Sequence, residues 1–296
     1  MMYRKRVYIM VIKYKKAAAW IAFGAVCVLL LFSASVSFIE ASSRVEGVQL
    51  PVVMYHQLTK SDSKAGKYVL TLEQFEKDLR YLKSSGYETV TIKQLVEFSE
   101  GRTDLPENAI LITFDDGNET LYEYAKPLLE QYGFTAVGFA VGALADRYTE
   151  LDDHNLNYSN LNWQEIKELC EGNIIEIQSH SYDLHKNTAE RSGVKKKKSE
   201  TIEQYREFLS ADAAKMKMKM REHTGTEPVA FAYPFGSFSS ESGDILKSCG
   251  IKATFTCEER INIIKKAEPE CLFGLGRYNR PSGISSESFF EKMGIS

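Results

Sequence analysis

Short apolar runs alternate with amphipathic, helix-forming segments along most of this chain, and that alternation limits its fold more than any other feature. Val52-Val53-Met54-Tyr55, Thr89-Val90-Thr91-Ile92 and residues 110–114, 137–141, 174–178, 229–233 and 252–256 read as strands. Helices are expected over 71–84, 93–100, 121–131, 162–170, 201–223, 239–248 and 285–293, with 272–277 extended. Thr71-Leu72-Glu73-Gln74 supplies a capping box for the first of these. Gly86, Gly133, Gly172 and Gly250 each follow a helix and precede a strand, where a left-handed residue ends a helix. Strand–helix units joined by short connections lay their strands side by side in parallel. Seven or eight such units predict a parallel (β/α) barrel rather than an open sheet. The polar stretch 143–161 is expected to be irregular and to rim a site.

Two strand exits carry the residues best suited to chemistry. Ala109-Ile110-Leu111-Ile112 leads into Thr113-Phe114-Asp115-Asp116-Gly117, and Ile174-Ile175-Glu176-Ile177 leads into Gln178-Ser179-His180-Ser181-Tyr182-Asp183-Leu184-His185. Adjacent carboxylates at the end of a buried strand repel, which raises one pKa unless a proton or a metal ion relieves the conflict. Alone, Asp-Gly is an ordinary turn signal, and two nearby histidines are an ordinary surface pair. Side chains at strand exits converge in parallel α/β folds. Together the two sets describe a divalent-metal hydrolase site.

The 296 residues leave room for one large domain and an N-terminal appendage. Residues 1–16 hold Arg4, Lys5, Arg6, Lys13, Lys15 and Lys16 with no acid, and residues 17–39 carry no charge. A membrane span needs about 20 residues, with its basic flank on the cytoplasmic side. The expected order is a basic cytoplasmic tail (1–16), a transmembrane anchor or uncleaved signal (17–39), a linker (40–48) and an extracytoplasmic catalytic domain (49–296). The small residues Ser33-Ala34-Ser35-Val36-Ser37 leave open a cleaved signal peptide and a secreted product. Removing the six basic residues of the tail leaves 31 Lys and Arg against 40 Asp and Glu, so the remainder carries a net charge near −9. That balance excludes nucleic acid as a partner. Protein partners are not legible. Cys170, Cys249, Cys257 and Cys271 have no zinc-knuckle spacing; one disulfide among the last three is allowed, and the spacing does not choose it.

Read together and in order, Thr113-Phe114-Asp115-Asp116-Gly117, Ser179-His180-Ser181 and His185 resemble the polysaccharide deacetylase family, the NodB-homology group or carbohydrate esterase family four. The resemblance runs from about Leu50 onward. It implies a NodB-like distorted barrel related to the TIM barrel. It also implies hydrolysis of N-acetyl groups on N-acetylglucosamine units of an extracellular or cell-wall polysaccharide. Asp115 would then be the general base, and Asp116, His180 and His185 the ligands of one divalent metal, usually zinc, with cobalt or nickel accepted. One carboxylate and two imidazoles leave coordination positions for water and the acetyl oxygen.

His180 and His185 are five apart, and Pro51-Val52-Val53-Met54-Tyr55-His56 opens the domain. Both features resemble the branch acting on poly-β-1,6-N-acetylglucosamine, the exopolysaccharide of biofilms, and imply that His56 is the general acid. The family's Arg-x-Pro-x-Gly motif stands here as Ala232-Tyr233-Pro234-Phe235-Gly236, with Ala232 in the arginine's place. Tyr233, Pro234, Phe235 and Gly236 are expected to wall the substrate groove, with a backbone N–H near Tyr233 for the oxyanion. Arg277 or Arg280 is expected to supply the missing charge. The late Leu-x-His motif is absent from residues 275–281. His154 reads as a loop residue, His223 as solvated, and Trp163 as either groove edge or helix-start packing. Two rival functions stay open: a non-catalytic glycan-binding protein on a degenerate barrel, and a phosphoesterase using Asp115 and Asp116.

Overall fold

The alternation of the sequence builds a parallel sheet wrapped by helices. The computed structural model describes residues 47–295. Its strands are β1 (Val48–Leu50), β2 (Val52–Tyr55), β3 (Gln57–Thr59), β4 (Val69–Thr71), β5 (Glu88–Thr89), β6 (Ala109–Phe114), β7 (Ala136–Ala140), β8 (Ile175–Ser179), β9 (Ala230–Ala232), β10 (Ala253–Phe255), β11 (Asn262–Ile264) and β12 (Tyr278–Asn279). Its α-helices are α1 (Leu72–Ser84), α2 (Ile92–Ser99), α3 (Lys126–Tyr132), α4 (Gly142–Leu151), α5 (Trp163–Glu171), α6 (Ile202–Thr224), α7 (Ser242–Ser248) and α8 (Ser286–Lys292). The main sheet runs β10-β9-β8-β7-β6-β2-β12, every pair parallel, and short β5 adds to β6. Leu275 bridges Phe255 in parallel just before the chain enters β12, so the ring of staves meets itself through that single bridge. β1 and β11 form a small antiparallel pair, and β3 and β4 a small parallel one.

Strand period decides which side chains fill the interior. Val52, Ala109, Leu111, Val137, Phe139, Ala230, Ala232 and Phe255 share one inner cluster, and Ile92, Leu95 and Phe98 of α2 join it. The intervening residues Val53, Tyr55, Ile110, Ile112, Phe114, Ile175 and Ile177 pack outward against Phe75, Leu79 and Leu82 of α1 and the neighbouring helices. Phe231 and Tyr233 face outward to Tyr205, Leu209, Ile245 and Leu246. Each such buried side chain stabilises the fold by about 1.5–3 kcal/mol before entropy is charged against it. Small inner residues on β9, Ala230 and Ala232, leave room at the mouth for longer polar side chains.

Several expectations need correction. The first part of 143–161 is helix α4, which begins at Gly142 without a side-chain cap and ends on left-handed Asp152 (φ 50°). Capping logic alone gives that helix no signal. Extended structure at 89–92 shrinks to β5, because Thr91 caps α2 with a capping box closed by Gln94. Residues 121–131 divide into a π-turn over Leu121–Ala125 and then α3. Gly133 does end its helix in the left-handed region (φ 71°), but Gly172 stays right-handed and Asn173 (φ 58°) makes the turn instead. Cys170, Cys249, Cys257 and Cys271 are all free. Among the described residues no helix is long and apolar enough to cross a membrane. The tail at 1–16, the anchor at 17–39 and linker residues 40–46 lie outside the described residues.

Candidate active site

The inward parity of the strands continues one residue past their C-terminal ends and brings His56, Asp115 and His180 to one mouth of the barrel, where turns add Asp116 and His185. Asp115 follows β6, and its N–H donates to Tyr55 O at 3.0 Å, continuing the ladder. The chain then turns through two left-handed residues, Asp116 (φ 69°) and Gly117 (φ 65°). A Cβ at 117 would stand 3.2 Å from Ala140 Cα, so only glycine fits this turn. Asn160 Nδ2 donates to Asp116 O at 2.7 Å and holds the turn from the far side.

His180 follows β8. Its Nδ1 lies 2.8 Å from Ala232 O, so Nδ1 carries a proton and donates, which turns Nε2 toward Asp116. That Nε2 is 3.4 Å from Asp116 Oδ1, and His185 Nε2 is 3.1 Å from the same oxygen. Candidate ligand atoms of Asp116, His180 and His185 all lie within 4.8 Å of one another. Two neutral-capable imidazoles and a carboxylate, one ring already oriented by a backbone carbonyl, fit a zinc-type divalent ion. His185 reaches the cluster through a turn in which Ser181 (φ 82°) accepts Leu184 N–H on its Oγ at 3.0 Å. Asp212 of α6 accepts the N–H groups of Tyr182 and Asp183, each at 2.8 Å. Burial pushes the Asp212 carboxyl up to about 6. Burial also works against the charge on Asp116, yet hydrogen bonds from His180 and His185 hold that carboxyl far below the usual range. On His185, burial is outweighed by Asp116, and its pKa rises.

Asp115 belongs to a different partner. Arg277, fully buried, grips it through both guanidinium nitrogens, Nη1 to Oδ1 at 2.6 Å and Nη2 to Oδ2 at 2.8 Å. Arg277 Nε donates to Thr256 O at 3.0 Å. Burial alone would raise the Asp115 pKa; the charges of Arg277 and then His180 overcome it and hold the carboxylate ionised. Of the two arginines expected to replace the motif arginine, Arg277 does so. Arg280 instead clasps buried Asp78, with Nε to Oδ2 at 2.8 Å and Nη2 to Oδ1 at 3.0 Å. Ala232 contributes only its carbonyl, to His180.

His56 follows β2 and lines the same cavity, of about 590 Å³, as Asp115, Asp116, His185, Phe235 and Tyr68. Its ring packs on Tyr68 with centroids 4.7 Å apart, and its buried Nδ1 has no hydrogen-bond partner. Burial lowers its pKa, against the pull of Asp115 and Asp116. The 234–236 segment divides by residue. Phe235 is exposed, stands at φ 59° and packs on His185 at 4.4 Å between centroids, so it walls the cavity. Tyr233 does not: its ring is buried outward on Phe238, and its N–H donates to Phe255 O at 2.9 Å. Pro234 is buried, and Gly236 packs against Cys257 (a Cβ would sit 2.8 Å from that residue's Cβ).

Trp163 packs inside, donating Nε1 to Asp146 Oδ1 at 2.7 Å, with half-buried His223 stacked on its ring. His154 stands beside Glu119 and Glu165. Sequence reasoning missed Asp212 and Tyr68. Asp212 had a signal, an acid on the same helix face as buried Leu209 and Met216; Tyr68 in its loop had none.

Comparison with known proteins bears on the family and the fold. The family model described as polysaccharide deacetylase matches residues 102–254. The poly-beta-1,6-N-acetyl-D-glucosamine N-deacetylase of Escherichia coli (strain K12) is 29% identical over 196 residues, 60% of this chain and 29% of that protein. The protein of the same name from Staphylococcus aureus (strain MSSA476) is 26% identical over 200 residues, 68% of this chain and 65% of that one. This chain therefore spans less than two thirds of either relative. Among solved structures, a de-N-acetylase from Aggregatibacter actinomycetemcomitans superposes with a TM-score of 0.69 at 23% identity, covering 83% of this chain and 98% of that one. IcaB from Ammonifex degensii superposes with a TM-score of 0.66 at 24% identity, covering 84% and 97%. At these identities the two structures establish a shared fold.

Proposed function

Because the chain belongs to the polysaccharide deacetylase family, we propose that it is a metal-dependent hydrolase that removes N-acetyl groups from N-acetylglucosamine units of a polysaccharide, with the β-1,6-linked polymer as its substrate. The observation that carries this reading is the set Asp116, His180 and His185 within 4.8 Å, at a mouth shared with arginine-clamped Asp115. A barrel kept only to bind glycan has no use for three converging ligands. The names of the Escherichia coli and Staphylococcus aureus relatives support the choice of polymer.

A divalent ion held by Asp116, His180 and His185, zinc in this proposal, would polarise the acetamide carbonyl and acidify a water. Asp115 accepts the proton that water gives up, since Arg277 keeps its carboxylate ionised and fixed in orientation. His56, across the same cavity, delivers a proton to the departing amine. Acetate and a free glucosamine unit result, and the polymer gains positive charge. Phe235 and Tyr68 offer apolar faces on which a pyranose ring can lie. In the same proposal residues 49–296 are the catalytic domain, held outside the cytoplasmic membrane by residues 17–39; protease added to intact cells should remove that domain.

The test is acetate release by the full chain, zinc-loaded, from β-1,6- and β-1,4-linked N-acetylglucosamine oligomers, beside Asp115→Asn and a chelated control. Release that prefers the β-1,6 oligomer and vanishes in both controls supports the reading. Zinc binding without acetate release from either oligomer would overturn it in favour of a glycan-binding barrel.

A further inference from the structure

A second group of metal-type donors lies apart from the site above, and nothing in the proposed reaction uses it. Glu119, His154 and Glu165 bring one ligand atom each to within 4.8 Å of one another. His154 Nδ1 is 2.5 Å from Glu119 Oε1 and 3.7 Å from Glu165 Oε1. Glu119 is 2% exposed and Glu165 8%. Two carboxylates are thus pressed together inside the protein with a single imidazole between them.

Their remaining oxygens sharpen the point. Glu165 spends Oε2 on the N–H of Asn162, closing the capping box of α5, which leaves Oε1 turned to the cluster. Glu119 Oε2 is buried with no partner at all. A carboxylate oxygen is acceptor-only, so Glu165 cannot satisfy Glu119 unless a proton or cation comes between them. Burial and the Glu119 charge push Glu165 up to about 7, which registers the same conflict. An acceptor this buried calls for a donor or a cation beside it.

We propose that Glu119, His154 and Glu165 bind a second divalent ion of the zinc class. One imidazole nitrogen and two carboxylates select a borderline transition ion over calcium or magnesium, which prefer all-oxygen shells. Its place in the fold gives it a structural role. Glu119 lies three residues past Asp116, its N–H donates to Ser159 O at 2.9 Å, and Leu161 N–H donates to Gly117 O at 2.8 Å. The ion would tie the Asp115–Glu119 turn to loop 152–162 and to α5, and so brace the segment that presents Asp116. This inference does not rest on the deacetylase reading.

Zinc alone is the probe, with the full chain desalted and its metal content counted by mass spectrometry. Wild type should hold two zinc ions per chain. The double variant His180→Ala/His185→Ala should hold one, and adding His154→Ala should take that one away. His154 is half exposed, so its removal leaves the fold intact, and circular dichroism checks this. Cobalt substituted into the double variant should give visible d–d absorption that Glu165→Gln weakens at least tenfold. No zinc in the double variant, or an ion that survives His154→Ala, would overturn the proposal; the first result would leave a protonated His154 as the cluster's only cation.

Discussion

Arg277 and Asp115, 162 residues apart in sequence, meet as a two-pronged ion pair with both side chains almost wholly buried. The guanidinium sits inside the barrel, on the same inner side as Ala232. A charge therefore stands beside Asp115, and it comes from the stave that closes the ring. Such a pair contributes little net stability, since desolvation of two ions offsets most of the attraction. Its value is in direction: it fixes which way the Asp115 carboxylate faces and keeps it ionised.

Arg277→Met should therefore hurt twice. It leaves Asp115 buried without a partner, costing about 3–5 kcal/mol of stability. Misdirecting the base should lower kcat on the order of 10²-fold. Zinc content should not change, because none of the three ligands touches Arg277. Arg277→Lys keeps the charge but not the fork, and should restore stability more than rate. Acetate release, metal analysis and urea unfolding on the same samples check this, and a Met variant with wild-type kcat would remove Asp115 from the mechanism.

Arg280 provides the contrast. Its partner Asp78 also accepts from Tyr55 and Ser286, at 3.0 and 2.7 Å, in a network that staples α1 to α8 and the outer face of β2. Asp78→Ala should destabilise by about 3–5 kcal/mol by stranding the guanidinium. Below the new melting point, kcat per folded molecule and zinc content should stay at wild-type values. A selective loss of kcat here would mean that the two arginines are coupled.

Why one arginine serves the site and the other the shell follows from strand parity. Tyr278 pairs with outward Val53 and Asn279 with inward Met54, so Arg277 faces in and Arg280 faces out. Two residues three apart on a strand always lie on opposite faces. The sequence alone left the choice open because it did not give the register. The convergence of Asp116, His180 and His185 was legible because they sit in contiguous motifs that follow strand exits. Tyr233 was misplaced for the same reason that Arg277 was left undecided: Ala232 and Tyr233 alternate faces, and only β9's pairing shows which is inside. Helix α4 was beyond reach because its start carries no side-chain cap, and the Glu119–His154–Glu165 group because it depends on how the 152–162 loop folds back onto the Asp116 turn.

Asp212 should prove to be a positioning residue for zinc. Its two oxygens each take one backbone N–H from the turn between His180 and His185. Asp212→Ala frees that turn, and outer partners of this kind typically alter metal affinity by about 10–100-fold. Competition with a chelator should show weaker zinc binding by such a factor, with kcat near normal at saturating zinc. Asn keeps one acceptor oxygen and should recover part of the loss. Unchanged zinc affinity in the Ala variant would reduce Asp212 to a helix-packing role.

His56 gives a prediction whose sign comes from its surroundings. Burial holds its imidazole below the ordinary 6.5, although Asp115 and Asp116 pull the other way. The folded chain then takes up this proton less readily than the unfolded chain does. Stability from His56 is full above 6.5 and is lost as pH falls from there through the lower folded-state value. His185 has the opposite sign, because Asp116 raises it, so its contribution is full at low pH and fades as pH rises. Unfolding in chelator, from pH 8 down to 5, should therefore show a shallower acid-side loss in His56→Gln than in wild type. The same variant should bind zinc normally and lose about 10²–10⁴-fold in kcat, the usual range for a general acid. An unaltered pH slope together with an unaltered kcat would make His56 a packing partner of Tyr68 and leave the leaving amine to draw its proton from Asp115.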